Sequence, residues 1–356
     1  MIRRPFSVHP RQQILNAAPR HRHLGRFGLK TKTNNKTTAK KKKNHPSSPQ
    51  DRIILASFRA TTSVGCNGRA SVPERAGLPV QTSGVFQRLQ GLKALYSSTD
   101  VANLYLAKGS GKSLHDMIIY QSQTIYPLWN NMVDAVREGK NQNEKTFGLP
   151  PEDIFQAIYR SEEEKLKFMG LMNSSWVLDG HDIVTAFNLS CFQEIVDLGG
   201  CTGALAREMA KAYPSSSITV FDLPQIVETA QKHFSQESNT VVFQSGDFFS
   251  GEIPPADLYV LARIIHDWPD EKCLTLLRKI YDTCKPGGGV LLVEALLFEN
   301  RRGPVMAQIF SLNMLVQTEG RERPPSEYTR ILNKSGFHNV QVCRTGKSYD
   351  AILAVR

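Results

Sequence analysis

A short run of residues, Val196-Asp197-Leu198-Gly199-Gly200-Cys201-Thr202-Gly203, reads as a strand that enters a glycine-rich turn and leaves it as a helix. Glycine lets the backbone bend sharply and lets a ligand come close. The dinucleotide pattern G-x-G-x-x-G does not fit, because Cys201 stands where a second glycine belongs when counting from Gly199. Asp197 precedes the turn, and a carboxylate there repels a pyrophosphate and suits a cationic ligand. Asp197, Gly199 and Gly200 are therefore candidate ligand contacts. A turn that binds nothing is the competing reading.

Two further carboxylates fall at the ends of the next two strand-like runs. Asp222 closes Val220-Phe221-Asp222-Leu223-Pro224, 19 residues after Gly203. At a strand tip it can accept hydrogen bonds from ribose hydroxyls. It can equally cap a helix opened by Pro224. In Gly246-Asp247-Phe248-Phe249, Asp247 can accept from an exocyclic amine and Phe248 can cover an adenine ring, although Gly and Asp are also common turn residues. Together the three tips describe a bound nucleoside. With a sulfonium in place of phosphates, the expected ligand is S-adenosylmethionine.

The fourth tip supplies a base. Ala262-Arg263-Ile264-Ile265-His266-Asp267-Trp268 offers His266, and a free imidazole, with a pKa of about 6.5, is suited to taking a proton from an attacking phenol. Glu322 and Glu294 are the candidate carboxylates to orient the ring. A histidine satisfied within the structure is the alternative.

Alternating elements position these tips. From residue 191 onward strands expected at 192–198, 218–221, 240–244, 258–261 and 290–294 alternate with helices expected at 204–213, from Pro224, and at 271–283. Helices near 305–316 and 326–335 and a final strand pair at 340–343 and 351–354 complete the pattern. This texture predicts a mainly parallel sheet covered on both faces, with ligands at the carboxyl ends of its strands. Upstream, helices are expected at 85–95, 114–138 and 151–172.

Residues 1–83 read as a disordered basic tail. Of 44 Lys and Arg, 16 lie in residues 1–73 against a single acid, Asp51, so the remainder is slightly acidic and the formal charge of +11 belongs to the tail. Aromatic residues do not interleave with those bases, so no nucleic-acid partner is expected. The Arg-rich start allows a mitochondrial presequence and Lys40–Lys43 a nuclear signal; a solvated tail is the plainer reading. Six cysteines lack CxxC or metal spacing, which fits reduced thiols, a cytoplasmic setting and no metal. No apolar run approaches the length of a membrane span.

The motifs quoted above, with Ser311-Leu312-Asn313-Met314-Leu315-Val316-Gln317-Thr318-Glu319-Gly320, resemble the acetylserotonin O-methyltransferases and their like-proteins across about residues 89–356. The resemblance implies a Rossmann-like class I S-adenosylmethionine-dependent fold with a seven-stranded sheet. It assigns cofactor contacts to Tyr159, Trp176, Asp222, Gly246, Asp247, Phe248 and Arg263. It makes His266 the base with Glu322 beside it, and places Asp267, Asn313 and Gln317 at a hydroxyindole acceptor. S-adenosylhomocysteine would be the product. Residues 84–180 would be the remnant of a helical dimerisation domain and its linking helices, residues 181–356 the methyltransferase domain, and the assembly a homodimer. Many relatives carry Gly at the position of Cys201, and the earlier dimerisation helices have no counterpart in the basic stretch. A chain that binds the cofactor without turnover is the alternative to an active enzyme.

Overall fold

The structure, a computed structural model, describes residues 97–148, 154–234 and 240–356. The tail at 1–83 and the helix expected at 85–95 lie outside them. Seven strands form one sheet: β1 (Glu194–Leu198), β2 (Ser217–Asp222), β3 (Val242–Ser245), β4 (Leu258–Ala262), β5 (Gly289–Glu294), β6 (His338–Cys343) and β7 (Asp350–Val355). Their order is β3-β2-β1-β4-β5-β7-β6. The first five are parallel, while β7 runs antiparallel to both β5 and β6. The expected last pair is therefore the antiparallel edge of an otherwise parallel sheet.

Alternation along the strands explains the double covering, because successive side chains point to opposite faces. Val196, Leu198, Tyr259, Leu261, Val290 and Leu292 pack on one face with α10 (Asp270–Thr283) and α12 (Pro325–Lys334). Ile195, Val220, Leu258, Val260, Leu291 and Val293 pack on the other with α7 (Glu162–Val184) and α8 (Ala204–Ala212). Helix α9 (Pro224–His233) follows β2, and α11 (Val305–Gln317) follows β5. Strands β1 and β4 are adjacent, whereas β2 and β5 diverge outward from them. That reversal of strand order opens the crevice where doubly wound sheets bind ligands.

The upstream helices are shorter and more broken than the periodicity suggests. After α1 (Asp100–Tyr105), α2 (His115–Tyr120) runs through a π-helical turn at Gln121–Ile125 into α3 (Tyr126–Trp129). Pro127 has no N–H to return to the preceding turn, and there the Tyr126 N–H reaches back to the Gln121 carbonyl. Asn130 and Asn131 interrupt the helix before α4 (Met132–Glu138), which ends at Gly139 with φ +66°. Next come α5 (Asn143–Phe147) and α6 (Ile154–Ile158). The helix expected at 151–172 is two helices, because the Ser161 hydroxyl accepts the Glu164 N–H and starts α7 anew. Helix α7 continues to Val184, so residue 180 falls inside one continuous helix that packs on both α2 and α8. Among the described residues no helix is long and apolar enough to cross a membrane.

Close packing of β5 on β7 gives a direct test. A Cβ on Gly289 would overlap the carbonyl oxygen of Ala354, and backbone there cannot step aside. Gly289→Ala is expected to destabilise the fold by about 1–3 kcal/mol through overpacking, read from urea unfolding.

Candidate active site

The glycine turn after β1 is left-handed at three positions: Gly199 (φ +72°), Cys201 (φ +54°) and Gly203 (φ +74°). A Cβ on Gly199 would stand 2.5 Å from Ile264 Cδ1, and one on Gly200 would stand 2.6 Å from Asp197 Oδ2. Cys201 tolerates its unfavourable backbone because the turn is tied from the next strand. Its N–H donates to Asp222 Oδ2 at 2.8 Å, while the Leu223 N–H donates to Asp222 Oδ1 at 2.7 Å. Asp222 thus clamps the turn; the N-cap of α9 is Leu223 instead. Burial pushes the Asp222 carboxyl up to about 6 against the pull of those two N–H groups. Asp197 is almost fully buried, and neither of its carboxylate oxygens has a hydrogen-bond partner among the described residues. Burial, then the charge of Asp222, pushes it up to about 7. An unpartnered buried carboxyl against a glycine turn fits a cationic nucleoside and does not fit a pyrophosphate.

The loop after β3 is self-capped. Asp247 Oδ1 accepts the Phe249 N–H and Oδ2 accepts the Ser250 hydroxyl, both at 2.8 Å. Burial raises its carboxyl, but those hydrogen bonds outweigh it and hold Asp247 below the usual carboxylate range. A Cβ on Gly246 would collide with the Phe221 ring, and Phe248 lies beside Gly199. Trp176 is buried, with its ring 5.4 Å from that of Tyr349. Tyr159 is half-buried against Phe155 and Phe168. Arg263, with φ +60°, lies 5.4 Å over the Tyr349 ring and donates to the Met172 sulfur at 2.9 Å. Its Nε is buried without a partner.

His266 sits in a single 3₁₀ turn, Ile265–Asp267, just past β4, and is 3% exposed. Its Nδ1 lies 2.7 Å from Glu322 Oε1 and 3.5 Å from Glu294 Oε2; its Nε2 lies 3.7 Å from Asp267 Oδ1. Both expected carboxylates therefore meet the same ring nitrogen. Glu294 Oε1 also accepts the Ile265 N–H at 2.9 Å, which fixes the turn. Burial pushes Glu294 and Glu322 up to about 8, and Asp267 up to about 6. The Arg263 and Arg323 guanidiniums oppose that rise at Glu322; at Glu294 His266 and Arg323 oppose it, while the charges of Glu322 and Asp267 add to it. His266, Glu294 and Glu322 bring ligand atoms within 4.8 Å of one another, a spacing also open to a divalent cation.

A polar chain runs beside this centre, linking α11 to the upstream helices. Trp129 Nε1 donates to Asn313 Oδ1 at 3.2 Å, Asn313 Nδ2 to Gln317 Oε1 at 3.2 Å, and Gln317 Nε2 to the Tyr120 hydroxyl at 3.0 Å. Asn313 and Gln317 are joined, as expected from their four-residue spacing. Tyr120 and Trp129 went unrecognised in the sequence because an aromatic at helical spacing reads as core.

Comparison with known proteins shows the family. Residues 129–338 match the O-methyltransferase domain family. The chain belongs to that family. It is 52% identical to chicken acetylserotonin O-methyltransferase over 73% of its length and 75% of the relative's, and 52% identical to the human protein of that name over 74% and 77%. Among solved structures, human N-acetylserotonin methyltransferase in complex with SAM superposes with TM-score 0.74 at 50% identity, covering 76% of this chain and 78% of the other. PigF with SAH, at 23% identity and TM-score 0.70, shows the same fold. The chain is thus a class I, S-adenosylmethionine-dependent O-methyltransferase.

The buried carboxyls of this methyltransferase give its stability a pH dependence. Glu294 holds its proton in the fold up to about 8, against 4.5 for a free side chain. The folded state binds more protons over that interval, so this contribution is whole below about pH 4.5 and is lost as pH rises through about 8. In thermal melts from pH 5 to 8, the parent is expected to lose stability with rising pH more steeply than Glu294→Gln.

Proposed function

We propose that this chain transfers the S-adenosylmethionine methyl group to the hydroxyl of a small hydroxyindole of the N-acetylserotonin type, with His266 Nε2 as the base. The observation that carries the reading is the 2.7 Å contact between Nδ1 and Glu322. When the proton shared in this contact sits on Nδ1, Glu322 is ionised and accepts from it, and the Nε2 lone pair is free to take the phenolic proton. Glu294 Oε1 accepts the Ile265 N–H and so holds the turn that carries the ring.

The residues fit the cofactor. Asp222, with two fixed oxygens beside the turn, would hold the ribose; Asp247 and Phe248 would hold the adenine; Gly199, Gly200 and Gly246 would allow close approach. Asp197, Arg263, Tyr159 and Trp176 would line the remainder. When bound, the cofactor supplies an electrophilic methyl on a positively charged sulfur. The protein's part is positioning and deprotonation, and the proposed chemistry needs no metal. Asp267, Asn313 and Gln317 would orient the acceptor, with the amide groups offering N–H donors.

Residues 84–180 would serve as the helical remnant that closes the acceptor site and residues 181–356 as the catalytic domain. Exposed Val133, Val136 and Val305 support a homodimer, since they give α4 and the start of α11 an apolar surface. A cytoplasmic setting belongs to the same proposal and rests on the absence of disulfides among the described cysteines.

A methyl-transfer assay on N-acetylserotonin tests the whole reading. His266→Ala is expected to lose about 10²- to 10⁴-fold in kcat while still binding S-adenosylhomocysteine in calorimetry. Equal turnover in the variant would remove His266 from the mechanism. Binding of S-adenosylhomocysteine by a parent that shows no turnover would favour the non-catalytic alternative.

A further inference from the structure

We infer that Lys279, on α10, is a positioning residue for the adenosine end of the cofactor site. This inference rests on the proposed reading of the Gly246–Phe249 loop and extends it to a residue on a different element. Lys279 is half-buried, and its ammonium donates to three backbone carbonyls of one loop: Phe248 at 2.8 Å, Phe249 at 3.2 Å, and Gly251. An ammonium has three donors, and all three are directed at this segment.

The loop is closed on itself by the Gly251 N–H, which donates to the Asp247 carbonyl at 2.7 Å. Its N–H end is capped by the Asp247 carboxylate through Phe249 and Ser250. Its carbonyl end is capped by Lys279. Opposite charges therefore sit at opposite ends of a single backbone turn, as at the two ends of a helix. Hydrogen bonds from a charged donor are stronger than neutral ones, so three converging on five residues fix the loop firmly. The ammonium also helps to hold Asp247 ionised.

Two consequences connect the clamp to the chemistry. Asp247 stays an acceptor for the exocyclic amine, and Phe248 stays beside Gly199, where an adenine ring would lie. The next ring, Phe249, packs edge-on against Trp268 at 5.3 Å, so the loop also braces the segment that carries His266. Loss of the clamp would release the loop first and the base only through that ring contact.

The test is calorimetric titration of S-adenosylhomocysteine into the full chain, paired with steady-state kinetics, for the parent, Lys279→Met and Lys279→Arg. Lys279→Met is expected to weaken binding about tenfold or more. The KM for S-adenosylmethionine should rise further than kcat at saturation falls, and the acceptor KM should hold. Lys279→Arg keeps the charge and should recover part of the loss. Hydrogen exchange should quicken in residues 247–251 of Lys279→Met before it does in β1 and β4. Unchanged binding in Lys279→Met would overturn the inference, as would equal loss of kcat and of affinity for both substrates, or exchange that rises evenly over the sheet. A parent that fails to bind the titrant would instead overturn the cofactor reading beneath it.

Discussion

One buried hydrogen bond gives the rest of the structure its purpose: Glu322 Oε1 against Nδ1 of His266 at 2.7 Å. A histidine that is 3% exposed has almost no water to choose its tautomer, so the protein must choose it. In the proposed state the proton of this contact sits on Nδ1, which makes the other nitrogen the acceptor. The surrounding scaffold serves this choice. Parallel β4 delivers the turn, Glu294 ties the Ile265 N–H, and Arg323 binds the Ile265 and Trp268 carbonyls from below at 3.1 and 2.8 Å. Glu294, Glu322 and Arg323, all ionisable and buried, gather about this turn. Such a cluster is costly unless its members are paired, and the pairs here converge on the imidazole.

The same economy holds at the cofactor end. Asp222 bridges two strand tips by accepting from Cys201 and Leu223, and so turns a flexible glycine bend into a fixed wall. Asp247 and Lys279 cap the next loop at its two ends. Rigid loops on a rigid sheet lower the ordering cost of binding. The proposed acceptor side is built differently, from side-chain amides on α11 bonded to aromatic residues of α2 and α3. Its polarity is set by Trp129, a pure donor, from which each following amide takes its direction.

Much of this was legible in the sequence. The alternation of strands and helices from 191 onward carries the fold because each strand must bury two faces. The order of the strand tips follows from that, and with it the neighbourhood of Asp197, Asp222, Asp247 and His266. The resemblance carried by the 311–320 motif pointed to the family, and the chain belongs to it. What escaped depends on long-range contacts without local periodicity. Glu294 and Glu322 are 28 and 56 residues from His266, and only the fold shows that both reach the same nitrogen. Asp222 invited a ribose or a helix cap, yet its present partners are backbone N–H groups of the turn. Lys279 lies within the helix expected at 271–283, and nothing in its local sequence points to the loop it holds. The breaks at Asn130–Asn131 and Ser161 were hidden because apolar spacing continues across them.

The central claim concerns where one proton sits, and nitrogen-15 NMR of histidine-labelled protein at neutral pH reads that directly. The resonances that disappear in His266→Gln identify the ring. The account predicts a protonated Nδ1 and a pyridine-like, proton-free Nε2. A proton found on Nε2, with Nδ1 the bare nitrogen facing Glu322, would contradict it.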